Sequence, residues 1–308
     1  MITGLNPANQ QFLASLNNLE TQLNTAQEQL TTGLRVNQAS DAPQELSDIF
    51  ETRADLGQQT QYIQSLTNVQ DQANTADSSI QSALQLIQQA ISIGTQGASS
   101  TSSASQLQEL ALQVQGIEGQ VVTISRTQVD GVYIFSGDQP QLPAYQVDTS
   151  SPTGVDQLIT TQATALVQDP TGVTFQASMT AQELFDNQDA SGNPTAQNVF
   201  AGLAGLTQAL QSGNNSNVET ALSNLQTAYD YLNQQQGFYG SVENRISTAL
   251  DLANKFQLQD QTQLSNLQDA DIPTVTVDLT QDTTSLNAAM AAEAQMPRTT
   301  LFDYLPIQ

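Results

Sequence analysis

The chain has 308 residues, a formal net charge of −24 and a pI near 4.1, with no cysteine and no histidine. Its six cations are Arg35, Arg53, Arg126, Arg245, Lys255 and Arg298. A polyanion of this kind gains nothing from counterion release on DNA or RNA, and it lacks the basic cluster needed to hold anionic lipid, so nucleic acid and membrane surfaces are set aside as partners. Absence of Cys removes disulfides and thiolate metal sites.

Charge does not imply disorder, because 12% of residues are charged and 38% are hydrophobic. A core can form where the pattern allows it. The opening "MITGLNPANQ" has neither a basic n-region nor an apolar h-region, so no Sec-type signal is read there. No apolar run approaches the ~18 residues a membrane span needs, and membrane insertion is not expected. The default location is cytoplasmic unless another export route exists.

Helix-type spacing dominates both ends. Leu16, Leu19, Leu23, Ala26 and Leu30 fall at steps of 3 and 4, and Gly33 follows where a left-handed cap wants glycine. A second helix is expected to restart at Asp41. Asp at the N-cap with Gln44 three residues on matches a capping box, and Pro43 lies in the first turn, where it is tolerated. The seam Tyr62, Leu66, Val69, Ala73, Ala76, Ile80, Ala83, Ile87 and Ala90 then runs four heptads, or roughly 45 Å of helix. "GTQGASSTSSAS" (residues 94–105) reads as a flexible reversal. A third helix carries Leu107, Leu110, Val114, Ile117, Val121 and Ile124, paired antiparallel with the second.

The middle changes character. "GVYIFSGDQPQLPAYQVD" and "DPTGVTFQASMTAQELFDN" bring β-branched and aromatic residues between Gly, Pro and Asp, so a small β-rich insertion is expected over 132–195. Helical spacing returns with Val218, Leu222, Leu225, Tyr229 and Leu232, continuing through Tyr239, Val242, Ile246, Ala249, Ala253 and Phe256. A last helix is expected from about Leu279 through Leu286, Ala289 and Met296 towards Leu305, kinked or ended by Pro297. The fold class is therefore mainly α: an elongated bundle of long antiparallel helices built from both termini, with the β-rich insertion in the middle. Five regions are expected: a coiled-coil arm over 1–40, a helical rod over 41–131, the insertion over 132–195, the second half of the rod over 196–268, and a C-terminal arm over 269–308.

Chemistry is thin. General acid–base catalysis usually recruits His, and nucleophilic catalysis recruits Cys, Lys or a base-activated Ser. Asp269 and Asp271, two residues apart, do not share a helix face and read as a solvated helix end. Asp186, Asp189, Gly192 and Asn193 in "DNQDASGNP" lack the spacing and the twelfth-position Glu of a calcium loop, so they read as a polar turn. No nucleotide-binding glycine motif follows a strand. No catalytic residue, metal site or cofactor is assigned, and no enzyme is expected. A carboxylate-dependent glycosidase would need two acids about 5 to 9.5 Å apart in a cleft.

Three segments carry a resemblance. "LTTGLRVNQASDAP" (Leu30 to Pro43) is similar to the N-terminal signature of flagellins and flagellar hook-filament junction proteins. "RTQVDGVYIFSGDQPQLPAY" (Arg126 to Tyr145) resembles the junction proteins' Gly-x-Tyr-hydrophobic-Phe-x-Gly segment, here Gly131, Tyr133, Phe135 and Gly137. "MPRTTLFDYL" (Met296 to Leu305) resembles their tail. The resemblance covers roughly 1–140 and 200–308 and implies a flagellin-like fold and a structural role in the bacterial flagellum, joining hook to filament. It implies copies of the chain itself as partners, together with a neighbouring hook-associated protein, flagellin and an export chaperone. Export would use the flagellar type III channel. The Ala-Gln-Met-Pro-Arg run also resembles flagellin tails, so the filament subunit is the alternative. A cytoplasmic coiled-coil scaffold is the alternative of another class.

Under the assembly reading, Leu16, Leu19, Leu23, Leu30, Leu301, Phe302 and Leu305 are expected as interface anchors between copies. Gly33, Asp41 and Pro43 would set the joint between arm and bundle.

Overall fold

The computed structural model describes residues 7–99, 102–160 and 166–295. The chain divides into two compact units, Met1–Gln58 with Phe256–Gln308, and Gln59–Lys255. Two long helices, α2 (Leu46–Gly97) and α6 (Asn215–Gln268), give residues to both.

In the unit Gln59–Lys255 the 3/4 spacing becomes a core. On α2, Leu66, Ala73, Ala76, Ile80, Ala83, Ile87 and Ala90 are all buried, with Tyr62 and Val69 half-buried. Helix α3 (Ala104–Ser125) opens on a capping box: the Ser103 hydroxyl accepts from the Gln106 N–H, and the Gln106 side chain accepts from the Ser103 N–H. It buries Leu107, Val114, Ile117 and Val121. On α6, Val218, Leu225, Leu232, Tyr239, Val242 and Ile246 close the same core. Each such side chain contributes about 1.5–3 kcal/mol relative to exposure.

The expected helical stretch over 196–268 is two helices, with α5 (Val199–Ser212) a separate element before α6. Helix α5 starts at Asn198, whose side chain accepts from the Ala201 N–H, and ends at Gly213, a left-handed cap with φ 66°. Nine of its fourteen residues are buried, and its solvent-facing strip, Ala201, Gly205, Gln208 and Ser212, is narrow and carries no charge. It packs on α3. The last turns of α2 also lie tight against it and against α6: a Cβ on Gly94 would stand 2.6 Å from Leu222 of α6 and 3.0 Å from Leu206 of α5, and one on Gly97 would run into Leu210.

Among the described residues, the strands that follow α3 form three separate antiparallel hairpins. Strands β1 (Gln128–Val129) and β2 (Val132–Tyr133) pair Val129 with Val132 across Asp130-Gly131, both at positive φ, as a two-residue hairpin turn of this kind requires. Strand β3 (Tyr145–Val147) pairs with β4 (Val155–Gln157), Tyr145 opposite Gln157, and β5 (Leu166–Gln168) pairs with β6 (Thr174–Gln176), Leu166 opposite Gln176. "GVYIFSGD" is strand only at Val132–Tyr133; Ile134 to Gly137 turn instead and send Phe135 inward. The short helix α4 (Ala181–Phe185) follows, held by the Thr180–Glu183 capping box.

Phe135 meets Phe185 edge-on at 6.0 Å, and Tyr145 meets Phe200 at 5.2 Å. Between them the buried Asp186 accepts from the Tyr145 hydroxyl (2.9 Å), the Gln188 amide (2.7 Å) and the Asn198 amide (2.7 Å). Burial pushes the Asp186 acid up, against the pull of these three donors. Arg245 lies 4.4 Å over the Phe175 ring and seats β6 on α6.

The unit formed from the two chain ends holds α1 (Pro7–Thr32), the start of α2, the end of α6 and α7 (Ile272–Gln295). Helix α7 begins at Ile272, seven residues before the expected start at Leu279. The Asp271 carboxylate accepts from the Thr274 hydroxyl at that start, which moves the N-terminus upstream of the apolar seam. Among the described residues no helix is long and apolar enough to cross a membrane.

Candidate assembly interface

Helices α1 and α7 pack together, and the end of α1 meets the start of α7, so the two run antiparallel. The face of α1 that looks inward is Phe12, Leu16, Leu19, Leu23 and Ala26, at steps of 4, 3, 4 and 3. The matching face of α7 is Val275, Leu279, Asp282, Leu286 and Ala289, with the same steps. Burial is shallow: Leu23, Ala26 and Val275 are buried, while Leu16, Leu19, Leu279 and Leu286 are only half-buried. Two helices can cover each other along one line and no further, and a pair of this length is marginal without a third element.

Large apolar groups are left in water beside that line. Leu30 is 40% exposed and Leu13 47%, while on α7 Val277 and Met290 are more open still. Phe50 on α2 and Leu258 on α6 are also exposed within this unit. On α7 the hydroxyls of Thr276, Thr280 and Thr284 each donate to the carbonyl four residues back. Their methyl groups stay outward with Val277 and line a shallow groove on this helix. Of the expected anchors, Leu16, Leu19, Leu23 and Leu30 therefore lie on α1, on or beside the seam; Leu301, Phe302 and Leu305 lie outside the described residues.

The joint between α1 and α2 is stitched rather than loose. Gly33 takes φ 75° and donates its N–H to the Gln29 carbonyl at 2.8 Å, capping α1. Leu34 bridges to Asp269, the Arg35 N–H donates to the Gln268 carbonyl at 2.6 Å, and the Ala270 N–H donates back to the Gly33 carbonyl at 2.9 Å. The Arg35 guanidinium bonds the Leu267 carbonyl at 2.5 Å and pairs with Glu45, placing a cation on the C-terminal carbonyls of α6. Arg53 donates to the Gln268 side chain at 2.8 Å. Val36, Ala42 and Ile49 form a small apolar cluster with Leu264 and Leu267 beneath.

Asp41 has another task than the expected one. The helix restarts at Leu46, and the Asp41 carboxylate reaches backward to accept the N–H groups of Asn37 (2.9 Å) and Gln38 (2.8 Å). Those two donors hold its acid below the usual carboxylate range. The capping box with Gln44 does not form, because the side chain is already spent on the link; Pro43 sits in the turn before the helix. Gln268, the buried partner of both Arg53 and the Val36 carbonyl, was missed in the sequence, where a lone Gln among many gives no signal.

Of the β motif, Gly131 makes the hairpin turn, Tyr133 donates its N–H to the Pro140 carbonyl, Phe135 is fully buried, and Gly137 takes φ 56°. At Asp189 the carboxylate accepts from the N–H groups of Ser191 and Asn193, so this acid closes a polar turn, as its spacing suggested.

Residues 5–139 match the bacterial flagellin N-terminal helical region. That match covers the N-terminal part of the chain. In sequence alone, no curated protein matches it. Its fold is that of solved flagellar chains. A chain of Vibrio parahaemolyticus described as a flagellar hook-associated protein aligns over 74% of this chain and 100% of its own, with a TM-score of 0.64 and 16% identity. FlgL of Bacillus cereus aligns over 71% and 100%, at 0.52 and 19%. The flagellar hook-associated protein-3 of Legionella pneumophila aligns over 68% and 98%, at 0.52 and 13%. At these identities the likeness is one of fold.

Proposed function

We propose that this chain belongs to the flagellin family and is a structural subunit of the bacterial flagellum that joins hook to filament and works by self-assembly through its terminal helices. One observation carries the reading: nearly the whole length of solved hook-associated chains finds its counterpart in this fold. The work done is packing. Each half-buried leucine of α1 or α7 that a neighbouring copy covers adds up to about 1.5–3 kcal/mol. A head-to-tail contact of that kind builds a ring or helical lattice according to the rotation between copies.

The partners that follow are copies of the chain, a neighbouring hook-associated protein and flagellin, with an export chaperone before assembly. Its place is the extracellular flagellum, reached through the flagellar type III apparatus. Deleting the gene and imaging the appendage tests the role. Hooks without filaments, with flagellin shed into the medium, are the expected result. Hooks still capped by intact junction proteins would instead make the chain the filament subunit.

A further inference from the structure

Glu118 lies on α3, 5% exposed, in the contact between that helix and the β3–β4 hairpin. The hairpin's turn places Gly154, at φ 72°, directly on the Glu118 carboxyl; a Cβ at Gly154 would collide with it. The Glu118 Oε1 is shut off from solvent and has no hydrogen-bond partner. An unpaired buried polar atom of this kind costs stability, and far more when charged.

Among the described residues, no ion pair or hydrogen bond compensates a charge there. On the hairpin, the Asp148 carboxylate is bound to the Ser150 N–H and hydroxyl, and the Asp156 carboxylate accepts from the Gln146 amide. Helix α5, which packs on α3, has no ionisable side chain. On α3's own stretch, Glu109 and Arg126 are exposed towards its two ends.

We propose that Glu118 is a proton-operated latch for the β3–β4 hairpin: the neutral acid lets the Gly154 turn close onto α3, and the carboxylate, needing water, lifts that turn away. Burial alone pushes the Glu118 acid up to about 7. A folded-state value above the unfolded one means that closure is fully favoured below the ordinary carboxylate range and is lost as pH rises through about 7. The opening is local, because the other end of the hairpin stays pinned by Tyr145 on Asp186 and by the buried Ile159.

Hydrogen exchange of the full chain between pH 4.5 and 8.5, corrected for intrinsic rates, reads the latch in residues 148–158. In the wild type, opening should rise by up to about tenfold per pH unit between the ordinary carboxylate range and about 7, and level off above it. In Glu118→Gln and Glu118→Met it should be flat, with residues 166–176 of the neighbouring hairpin flat in all three. A flat wild type, or variants that follow the wild-type profile, would overturn the proposal. Should neither variant fold, the carboxyl-carbon titration of Glu118 in the wild type decides. A midpoint near 7 that tracks the loss of protection supports the latch, and a midpoint in the ordinary carboxylate range rejects it.

Discussion

At the scale of single residues, the buried polar groups separate into those with partners and those without. Asp186 has three donors and can stay buried; Glu118 has none and is left to its proton. Tyr145→Phe keeps the ring against Phe200 and removes only the hydroxyl. We expect a loss of about 1–3 kcal/mol in chemical denaturation, the cost of taking a partner from a buried acid. A loss below ~0.5 kcal/mol, the range of ordinary surface substitutions, would show that the Gln188 amide satisfies that oxygen alone.

At the scale of elements, two glycines with opposite constraints give opposite tests. Gly33 has open space around its α-carbon and a positive φ, so Gly33→Ala costs only left-handed strain, about 1–2 kcal/mol, and Gly33→Asn should cost less. Gly97 has ordinary helical backbone and no room, so Gly97→Ala gains about 1 kcal/mol in helix propensity and loses about 1–3 kcal/mol to crowding against Leu210. Thermal melts of both, with Gly97→Ala repeated in a Leu210→Ala background, separate the causes. In that background the crowding penalty should disappear.

The same elements show what could be read in the sequence. The seams of α2, α3 and α6 were legible because each has one wet face, so the apolar residues stand out at steps of 3 and 4. Helix α5 was not set apart from the rest of the rod, because its narrow wet strip is made of Ala201, Gly205 and Gln208 rather than charged residues, and Gly202 and Gly205 weaken the helical signal. Helix α4 was signalled by Thr180-Ala-Gln-Glu183, a capping box inside a stretch that β-branched and aromatic residues made look like strand. The start of α2 was misplaced because Asp41 satisfies two local donors instead of capping the helix, a choice that residue types alone do not decide. Of the proposed assembly surface, the α1 seam and the Gly33 cap were legible. The Arg35, Arg53 and Gln268 stitching was not, because it joins residues more than two hundred positions apart.

At the scale of the whole molecule, the net charge of −24 sets copies of the chain against one another, and two of the six cations are already committed to the joint. Association must therefore draw on apolar contact, with repulsion screened by salt. Exposed Leu13, Leu30 and Val277 are among the contacts on offer in the terminal unit. The most direct measurement is incorporation of Leu13→Gln/Leu30→Gln into the appendage, scored by immuno-electron microscopy against the amount exported, beside the melting of the isolated chain. The account predicts a monomer unchanged within ~0.5 kcal/mol, since both side chains are already open to water, and incorporation reduced at least about tenfold. Wild-type incorporation of that variant would contradict it.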